Sequence, residues 1–539
     1  MRTRLRTAAR PVLTVLAVAV TWAALSVPTD LATVGPASLG HLPLEAVVLV
    51  LLVVALPARP ARVVAVAAGA LLAVVAVLEL LDLAFRSALG RPFDPVLDWT
   101  YVGDLVGLVR DSFGATLGTV LLLAGVVLLL GVLILVPASL LRLARALRRH
   151  RRPAARAAAG SAALWLLLAL VGAHGLAGGP VASATSAEYA YTEVSRIPAV
   201  LRDQQHFEQA TLADPLRAVP ADRLLTALRG KDVLFVFVES YGRVAVQGSS
   251  FSPSVDRTLD NGTRRLHASG FSARSAFLTS PTFGGLSWLA HSTLQSGLWV
   301  DSQQRYDTLV TSPRQTLSRA FGRAGWRTVS DVPADTSAWP QGAFYGYDHF
   351  YDARNVGYAG PRFGYPTMPD QFTLDALHRL ELARTRRAPV MAEVDLLSSH
   401  VPWSRTPRLV PQSAVGDGSV FDGMPATLPS EADIWPSPAR VQAAYGRSVV
   451  YSLNALISFV RHYGTDRTVL VVLGDHQPSS IVSGQDPGHD VPISVIAHDP
   501  AVLRRIAPWH WQAGLRPAPD APVWRMDSFR DRFLRTFGP

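Results

Sequence analysis

Long runs of Ala, Val and Leu fill the first third of the chain, at Pro11 to Val27, Leu42 to Leu56, Val63 to Phe85, Ala115 to Leu141 and Ala158 to Leu176. A hydrocarbon core of ~30 Å asks for about 20 apolar residues at ~1.5 Å rise each, so these five runs are candidate membrane spans, the second of them short. Arginine clusters separate them unevenly. With the N-terminus inside, thirteen arginines lie on cytoplasmic segments: four from Arg2 to Arg10, then Arg59 and Arg62, then seven from Arg142 to Arg156. The opposite segments carry three, Arg86, Arg91 and Arg110. This bias predicts that everything after the last run lies outside the cytoplasm. Met1 to Val27 also fits a cleaved signal peptide, a reading that leaves the C-terminal half on the same side.

Between the third and fourth runs, Arg91 to Gly114 mixes Asp, Trp, Tyr and Leu, as either an interfacial helix or an external loop would. Residues 180–230, with Pro198, Pro215 and Pro220, read as a juxtamembrane linker with short helices. The chain thus divides into a membrane domain over 1–179, a linker over 180–230 and a soluble domain over 231–539.

Charge follows this division. Of 51 basic and 41 acidic residues, 16 and 8 precede Gly179, so the net charge of +10 is mostly membrane-flanking arginine. The soluble part is nearly neutral and offers no basic groove, which argues against nucleic acid as a partner. Cysteine is absent, which excludes disulfides, thiolate metal sites and cysteine nucleophiles. Any metal here is held by nitrogen and oxygen.

After Gly230 the pattern changes to short, continuously apolar segments: Asp232 to Val238, Pro389 to Leu396, Thr468 to Leu473 and Val491 to Ala497. Their length and β-branched content predict strands, and unbroken apolarity predicts a mainly parallel sheet covered on both faces. Arg314 to Ala324 and Ala444 to Tyr463 carry helical spacing, so the fold class is α/β. In such sheets ligands bind beyond the carboxyl ends of the strands. Those positions hold Glu239 after the first strand, His400 four residues after the second, and Asp475 with His476 after the third. Two carboxylates and an imidazole at one sheet edge suit a divalent cation such as Zn²⁺ or Mn²⁺.

A further segment, Thr279 to Gly297 (TSPTFGGLSWLAHSTLQSG), places hydroxyls and a Gly284-Gly285 pair before a helix-like run. A hydroxyl at a helix N-terminus sits where free N–H groups favour an anion, so Thr282 is a candidate nucleophile. Trp288 and His291, on the run that follows, read as packing residues, and His489 with Asp490 as either a turn or a support behind the metal ligands. Trp403 and Trp435 read equally as lining of a substrate cleft and as ordinary aromatics.

These residues resemble the alkaline phosphatase superfamily in its sulfatase-like branch, which includes lipoteichoic acid synthases and lipid A phosphoethanolamine transferases. The likeness covers about Asp232 to His498, together with the apolar spans in front. It implies that Glu239 in VFVESYG and the Asp475-His476 pair in LGDHQP ligate one divalent metal ion, Mn²⁺ or Zn²⁺. It implies a threonine that is both nucleophile and ligand, for which Thr282 in SPTFGG is the candidate, with Ser287 and Thr279 as alternatives. His400 in SSHVPW resembles the histidine that contacts phosphate or leaving group, and Trp339 the aromatic substrate contact. True sulfatases need a C/S-x-P-S/A-R context, which Ser280-Pro281-Thr282-Phe283 does not provide.

The resemblance therefore implies a membrane-anchored transferase in the cell membrane, with its catalytic domain extracytoplasmic. It would move a phosphoglycerol or phosphoethanolamine group from a phospholipid donor to an envelope glycan or polymer through a phosphothreonine. An extracytoplasmic phosphodiesterase of the same superfamily and a non-catalytic envelope scaffold are the alternatives.

Overall fold

The structure is a computed structural model that describes residues 2–28, 40–101, 115–174, 180–484 and 487–538. It divides into two compact units, Met1–Ser87 with Arg91–Asp203, and Ala88–Gly90 with Gln204–Pro539.

The first unit is helical: α1 (Arg2–Ala24), α2 (Leu44–Ala55), α3 (Ala58–Leu89), α4 (Ala115–Arg149), α5 (Arg151–Val171) and the start of α6 (Thr185–Leu212). Among the described residues, three helical stretches are long and apolar enough to cross a membrane, Ala58–Arg86, Gly118–Arg149 and Arg151–Val171. Arg10–Ala24 and Leu44–Ala55 are shorter apolar helices. Small residues make the contacts: Ala61, Ala65 and Ala73 are fully buried, and a Cβ on Gly69 would lie 2.6 Å from the Pro137 backbone. Close backbone approach is how apolar helices associate where no hydrophobic force drives them together.

The seven arginines from Arg142 to Arg156 occupy the end of α4 and the start of α5. Two of them close α2: Arg148 donates to the carbonyls of Val53 and Leu56 at 3.2 and 2.5 Å, and Arg151 to those of Val54 and Ala55 at 2.6 and 2.9 Å. Those carbonyls have no partner inside their own helix, and cations at a helix C-terminus satisfy both the hydrogen bonds and the dipole. The stretch read as a linker with short helices contains the 28-residue α6, which runs through Pro198. The interfacial helix read over Arg91 to Gly114 lies for residues 102–114 outside the described residues, and its described part shows one 3-10 turn, Asp98–Thr100.

The second unit is built on a sheet of nine strands among the described residues. These are β1 (Asp232–Val238), β2 (Ser272–Thr279), β3 (Arg327–Val332), β4 (His349–Asp352), β5 (Val390–Leu396), β6 (Thr468–Gly474), β7 (Asp490–Ala497), β8 (Gln512–Ala513) and β9 (Val523–Arg525). They lie in the order β8-β2-β7-β6-β1-β5-β3-β4, with β9 beside β2. From β4 to β6 all neighbours are parallel, while β7 runs antiparallel to both β6 and β2. The sheet is therefore mainly parallel as expected, although the Val491 to Ala497 segment runs antiparallel to its neighbours, as does the short β8 to β2.

Along β1 every residue is buried, and successive side chains feed opposite cores. Leu234, Val236 and Val238 pack with α7 (Ser252–His267) and α12 (Pro438–Tyr463); Phe235 and Phe237 pack towards α8 (Ser287–Ser296), α10 (Leu317–Arg323) and α13 (Phe529–Phe537). α9 (Gln303–Val310) and α11 (Asp370–Leu377) complete the layers.

A buried ion cluster ties α13 into this unit. Arg530 donates to both Asp214 oxygens at 3.0 Å, Arg314 lies 3.5 Å from the same carboxylate, and the Arg530 side chain is 0% exposed. Burial alone would raise the Asp214 pKa, but the hydrogen bonds and charge of Arg530, with Arg314, hold it below the usual carboxylate range. Removing the carboxylate leaves Arg314 with backbone carbonyls alone and Arg530 with Asp531 as its remaining acidic partner. Asp214→Ala should cost about 3–5 kcal/mol in denaturant unfolding of the full chain, followed by tryptophan fluorescence. A depressed folded-state pKa means the stabilisation is complete above an unfolded value of ~4 and is lost as pH falls through the lower, folded one. The gap between wild type and variant should accordingly close only in acid.

Candidate metal and phosphoryl-transfer site

Parallel register assembles the site. β1 pairs residue for residue with β5 (Val238 with Leu396) and with β6 (Val238 with Gly474), so the three strands end side by side. Glu239 and Asp475 are the next residues on β1 and β6. Gly474 is required at this point, because a Cβ there would sit 1.9 Å from the Tyr241 carbonyl oxygen.

Glu239, Asp475 and His476 form a cluster in which one ligand atom from each lies within 4.8 Å of the others. His476 Nε2 is 3.4 Å from Glu239 Oε1 and 3.5 Å from Asp475 Oδ2, and all three residues are buried. The backbone aims them. Asp475 Oδ1 accepts from the N–H groups of Ser240 and His476 at 2.7 and 2.8 Å, and Ser240 Oγ donates to Glu239 Oε1 at 2.9 Å. His476 Nδ1 donates to the Gln477 carbonyl at 2.8 Å, so Nε2 is the nitrogen turned towards the two carboxylates.

The electrostatics are those of a cation site. Burial and the Glu239 charge push the Asp475 carboxyl up to about 6. Burial would lower the His476 imidazole, but Asp475 and Glu239 lift it to about 9. Glu239, against its own burial, is held well below the usual range by His400 and His476. Asp475 Oδ2 is buried without a hydrogen-bond partner, a cost of about 1–3 kcal/mol that a bound cation removes. Two carboxylates and an imidazole with an orphaned inward oxygen fit Zn²⁺ or Mn²⁺.

Ser287 joins this cluster. Its Oγ is 3.1 Å from Glu239 Oε2 and 3.2 Å from His476 Nε2. It is the first residue of α8, after Leu286 in the left-handed region at φ 63° and Gly284 at φ 70°. A non-glycine residue there costs about 1–2 kcal/mol, and the turn presents the Ser287 hydroxyl beside the free N–H groups of the helix. Thr282 lies on the loop before this turn; its Oγ1 is buried without a partner, and its N–H donates to Ser280 Oγ at 3.3 Å. Thr279 is occupied elsewhere, donating to Asp490 Oδ1 at 2.9 Å, and Asp490 pairs with Arg243.

His400 follows β5, stacked on Tyr365 at 3.8 Å, and its Nδ1 donates to the Val401 carbonyl. Burial lowers its pKa against the pull of Glu239. Trp339 packs instead in an aromatic cluster, donating to Tyr306 OH at 3.2 Å and lying 5.2 Å from the Tyr345 ring; Trp288 packs against the same cluster. Trp403 stacks on Trp435 at 6.2 Å and is almost fully buried.

Sequence reading passed over one constellation. His291, taken as packing, sits one turn beyond Ser287 with Nδ1 3.0 Å from Glu393 Oε1 and 3.6 Å from Asp395 Oδ1, stacked on Phe237 at 3.7 Å. Burial would lower its pKa, but Asp395 and Glu393 raise it to about 9. The signal was in β5 itself: VMAEVDL carries two carboxylates at alternate positions of an otherwise apolar buried strand.

Residues 231–498 match the family model described as Sulfatase. Over these residues the chain thus carries a sulfatase-family domain. No curated protein matches the sequence. Among solved structures, the lipoteichoic acid synthase LtaP from Listeria monocytogenes is similar at 16% identity over 58% of this chain and 73% of that one, TM-score 0.39. The C-terminal periplasmic domain of EcEptC from Escherichia coli, in complex with Zn, is similar at 12% identity over 57% and 83%, TM-score 0.37. Streptococcus pyogenes phosphoglycerol transferase GacH, in complex with sn-glycerol-1-phosphate, is similar at 13% identity over 64% and 82%, TM-score 0.37.

The geometry predicts how metal retention responds to substitution. Asp475→Asn keeps the shape and the hydrogen bonds from Ser240 and His476 but removes the ligand charge. It should weaken Mn²⁺ or Zn²⁺ binding to the purified full chain by at least ~10–100-fold in titration calorimetry. Unchanged affinity would show that the ion sits elsewhere.

Proposed function

We propose that this protein is a membrane-anchored phosphotransferase that moves a phospho-alcohol group, phosphoglycerol or phosphoethanolamine, from a phospholipid to an envelope glycan or polymer. Ser287 is the nucleophile in this reading. The observation that carries it is the Ser287 hydroxyl within hydrogen-bond reach of both Glu239 and His476 at the start of α8.

Glu239, Asp475 and His476 hold one divalent ion, which when bound lowers the pKa of a neighbouring hydroxyl and withdraws charge from a phosphate. Ser287 Oγ forms the new bond to phosphorus as the bond from phosphorus to the lipid alcohol breaks. The proton lost by Ser287 ends on the departing alcohol. In the second half an acceptor hydroxyl attacks the same phosphorus, the Ser287 ester bond breaks, and the acceptor's proton returns to Ser287. In this reading His400 takes up and returns these protons as general base and acid. The free N–H groups at the start of α8 cradle the phosphate oxygens.

Sulfate ester hydrolysis through formylglycine is disfavoured by the residues themselves. After Ser287, Leu289 and His291 stand where that chemistry asks for Pro and Arg, and cysteine is absent. The donor is assigned to the phospholipid class because the chain carries long apolar helices, and the arginine bias puts residues 231–539 on the extracytoplasmic face, where head groups are at hand.

The test is peptide mapping of the full chain after incubation with Mn²⁺ or Zn²⁺ and mixed phospholipids. A phospho-alcohol adduct is expected on Ser287, with its mass identifying the donor. It should be lost in Ser287→Ala and kept in Thr282→Ala, and turnover in Ser287→Ala should fall by about 10³-fold or more. An adduct on Thr282 would move the nucleophile back five residues. Release of the group to water at the same rate with and without an acceptor glycan would make the protein a phosphodiesterase.

A further inference from the structure

The helical unit contains an apolar groove of about 420 Å³, bounded by α1, α2, α3, α4 and the first turns of α6. Its walls are aliphatic, with Leu49, Ala68, Leu72 and Leu143 among them, and its volume lies within the ~300–1,000 Å³ of ordinary ligand sites. In a bilayer any such groove fills with hydrocarbon. Its polar end is what makes it selective.

Three polar residues line that end: Thr21 near the C-terminus of α1, Glu45 in the first turn of α2, and Ser186 in the first turn of α6. Glu45 Oε1 accepts from the Ala187 N–H at 2.9 Å, which closes the start of α6. Glu45 Oε2 and Thr21 Oγ1 are both buried and have no hydrogen-bond partner. Thr21 is 8% exposed. The opposite end of α2 is the one closed by Arg148 and Arg151, so on the arginine bias Glu45 faces the extracytoplasmic leaflet.

An acceptor and a hydroxyl left unpaired at the head of a hydrocarbon slot are costly, and a ligand group that donates to one and accepts from the other removes both costs. An alcohol does this. A phosphate does not, since its negative charge would face the Glu45 carboxyl in a low dielectric. We infer that the groove is a binding site for an uncharged lipid with a free hydroxyl, of the diacylglycerol class. One acyl chain lies along α2 and α3, and the hydroxyl donates to Glu45 Oε2 and accepts from Thr21 Oγ1. The inference rests on the transferase reading for its biological meaning, because diacylglycerol is the alcohol that reading releases.

Binding is read directly by native mass spectrometry of the full chain in detergent, offered dioleoylglycerol, dioleoylphosphatidylglycerol and dioleoylphosphatidylethanolamine in turn. A dioleoylglycerol adduct favoured about tenfold over both phospholipids is expected. Ala68→Trp, which fills the groove, should lower that occupancy about tenfold, and Glu45→Gln with Thr21→Val should erase the preference for the alcohol while leaving acyl-chain binding. A photoreactive diacylglycerol on the wild-type chain gives the same answer without requiring any variant to fold: cross-links should fall on peptides containing Leu49 or Leu72. Equal binding of the three lipids by the wild type, or cross-links only outside the groove, would overturn the site. Ser287→Ala should bind dioleoylglycerol like the wild type. Failure of lipid selection is thereby read apart from failure of the transfer reaction, which the Ser287 adduct reports.

Discussion

Two carboxylates and an imidazole forced together inside a protein are the constraint around which the soluble unit is organised. Asp475 is held by backbone N–H groups, His476 by the Gln477 carbonyl and Glu239 by the short Ser240 side chain, rather than by long flexible side chains. That rigidity comes from the sheet. The central strands pair without a slip over their whole length, so the residue after each strand is fixed by the same register that packs Phe235 and Phe237 on one face and Val236 and Val238 on the other. A one-residue slip would turn the core inside out before it moved a ligand. The apolar alternation thus protects the site geometry even though it touches none of the chemistry.

The same rule explains what was legible in the sequence. Glu239, His400, Asp475 and His476 follow buried strands directly or within a few residues, and unbroken apolar runs mark those strands. The outlying strands were not visible, because Arg327–Val332 and His349–Asp352 are short and interrupted by polar residues, and β2 begins with exposed Ser272. Nor could linear reading rank the hydroxyls of Thr279 to Gly297. Which of them faces Glu239 depends on where the loop ends and α8 begins, and that point is set by two left-handed residues, Gly284 and Leu286. Only the glycine announces such a conformation; a leucine at φ 63° is imposed by its surroundings.

His291 shows how a charged residue can be mistaken for packing. It does pack, face to face on Phe237, yet its Nδ1 engages Glu393, which also accepts from Tyr347 at 3.0 Å and from Gln295. Glu393 is saturated with donors and serves to hold the imidazole. A ring whose pKa is lifted to about 9, fixed one turn along α8 from Ser287, adds positive potential beside the Glu239, Asp475 and His476 cluster. It also reaches Asp475, whose carboxyl His291 pulls down against its burial. The two clusters are therefore one electrostatic system on the face shared by β1, β5 and α8.

The arginines of the helical unit carry a related argument about economy. Counted along the chain, they read only as a topological signal. In three dimensions Arg148 and Arg151 supply the donors that the last turn of α2 lacks, and Glu45 supplies the acceptor that the first turn of α6 lacks. α2 is only 12 residues long, and a helix that short has a large fraction of its backbone groups unpaired at its ends. In hydrocarbon those groups would find no water. Closing the last turn of α2 with side chains from other helices lets a short helix sit among longer ones, and Glu45, which closes the start of α6 with one oxygen, keeps the other at the head of an apolar groove.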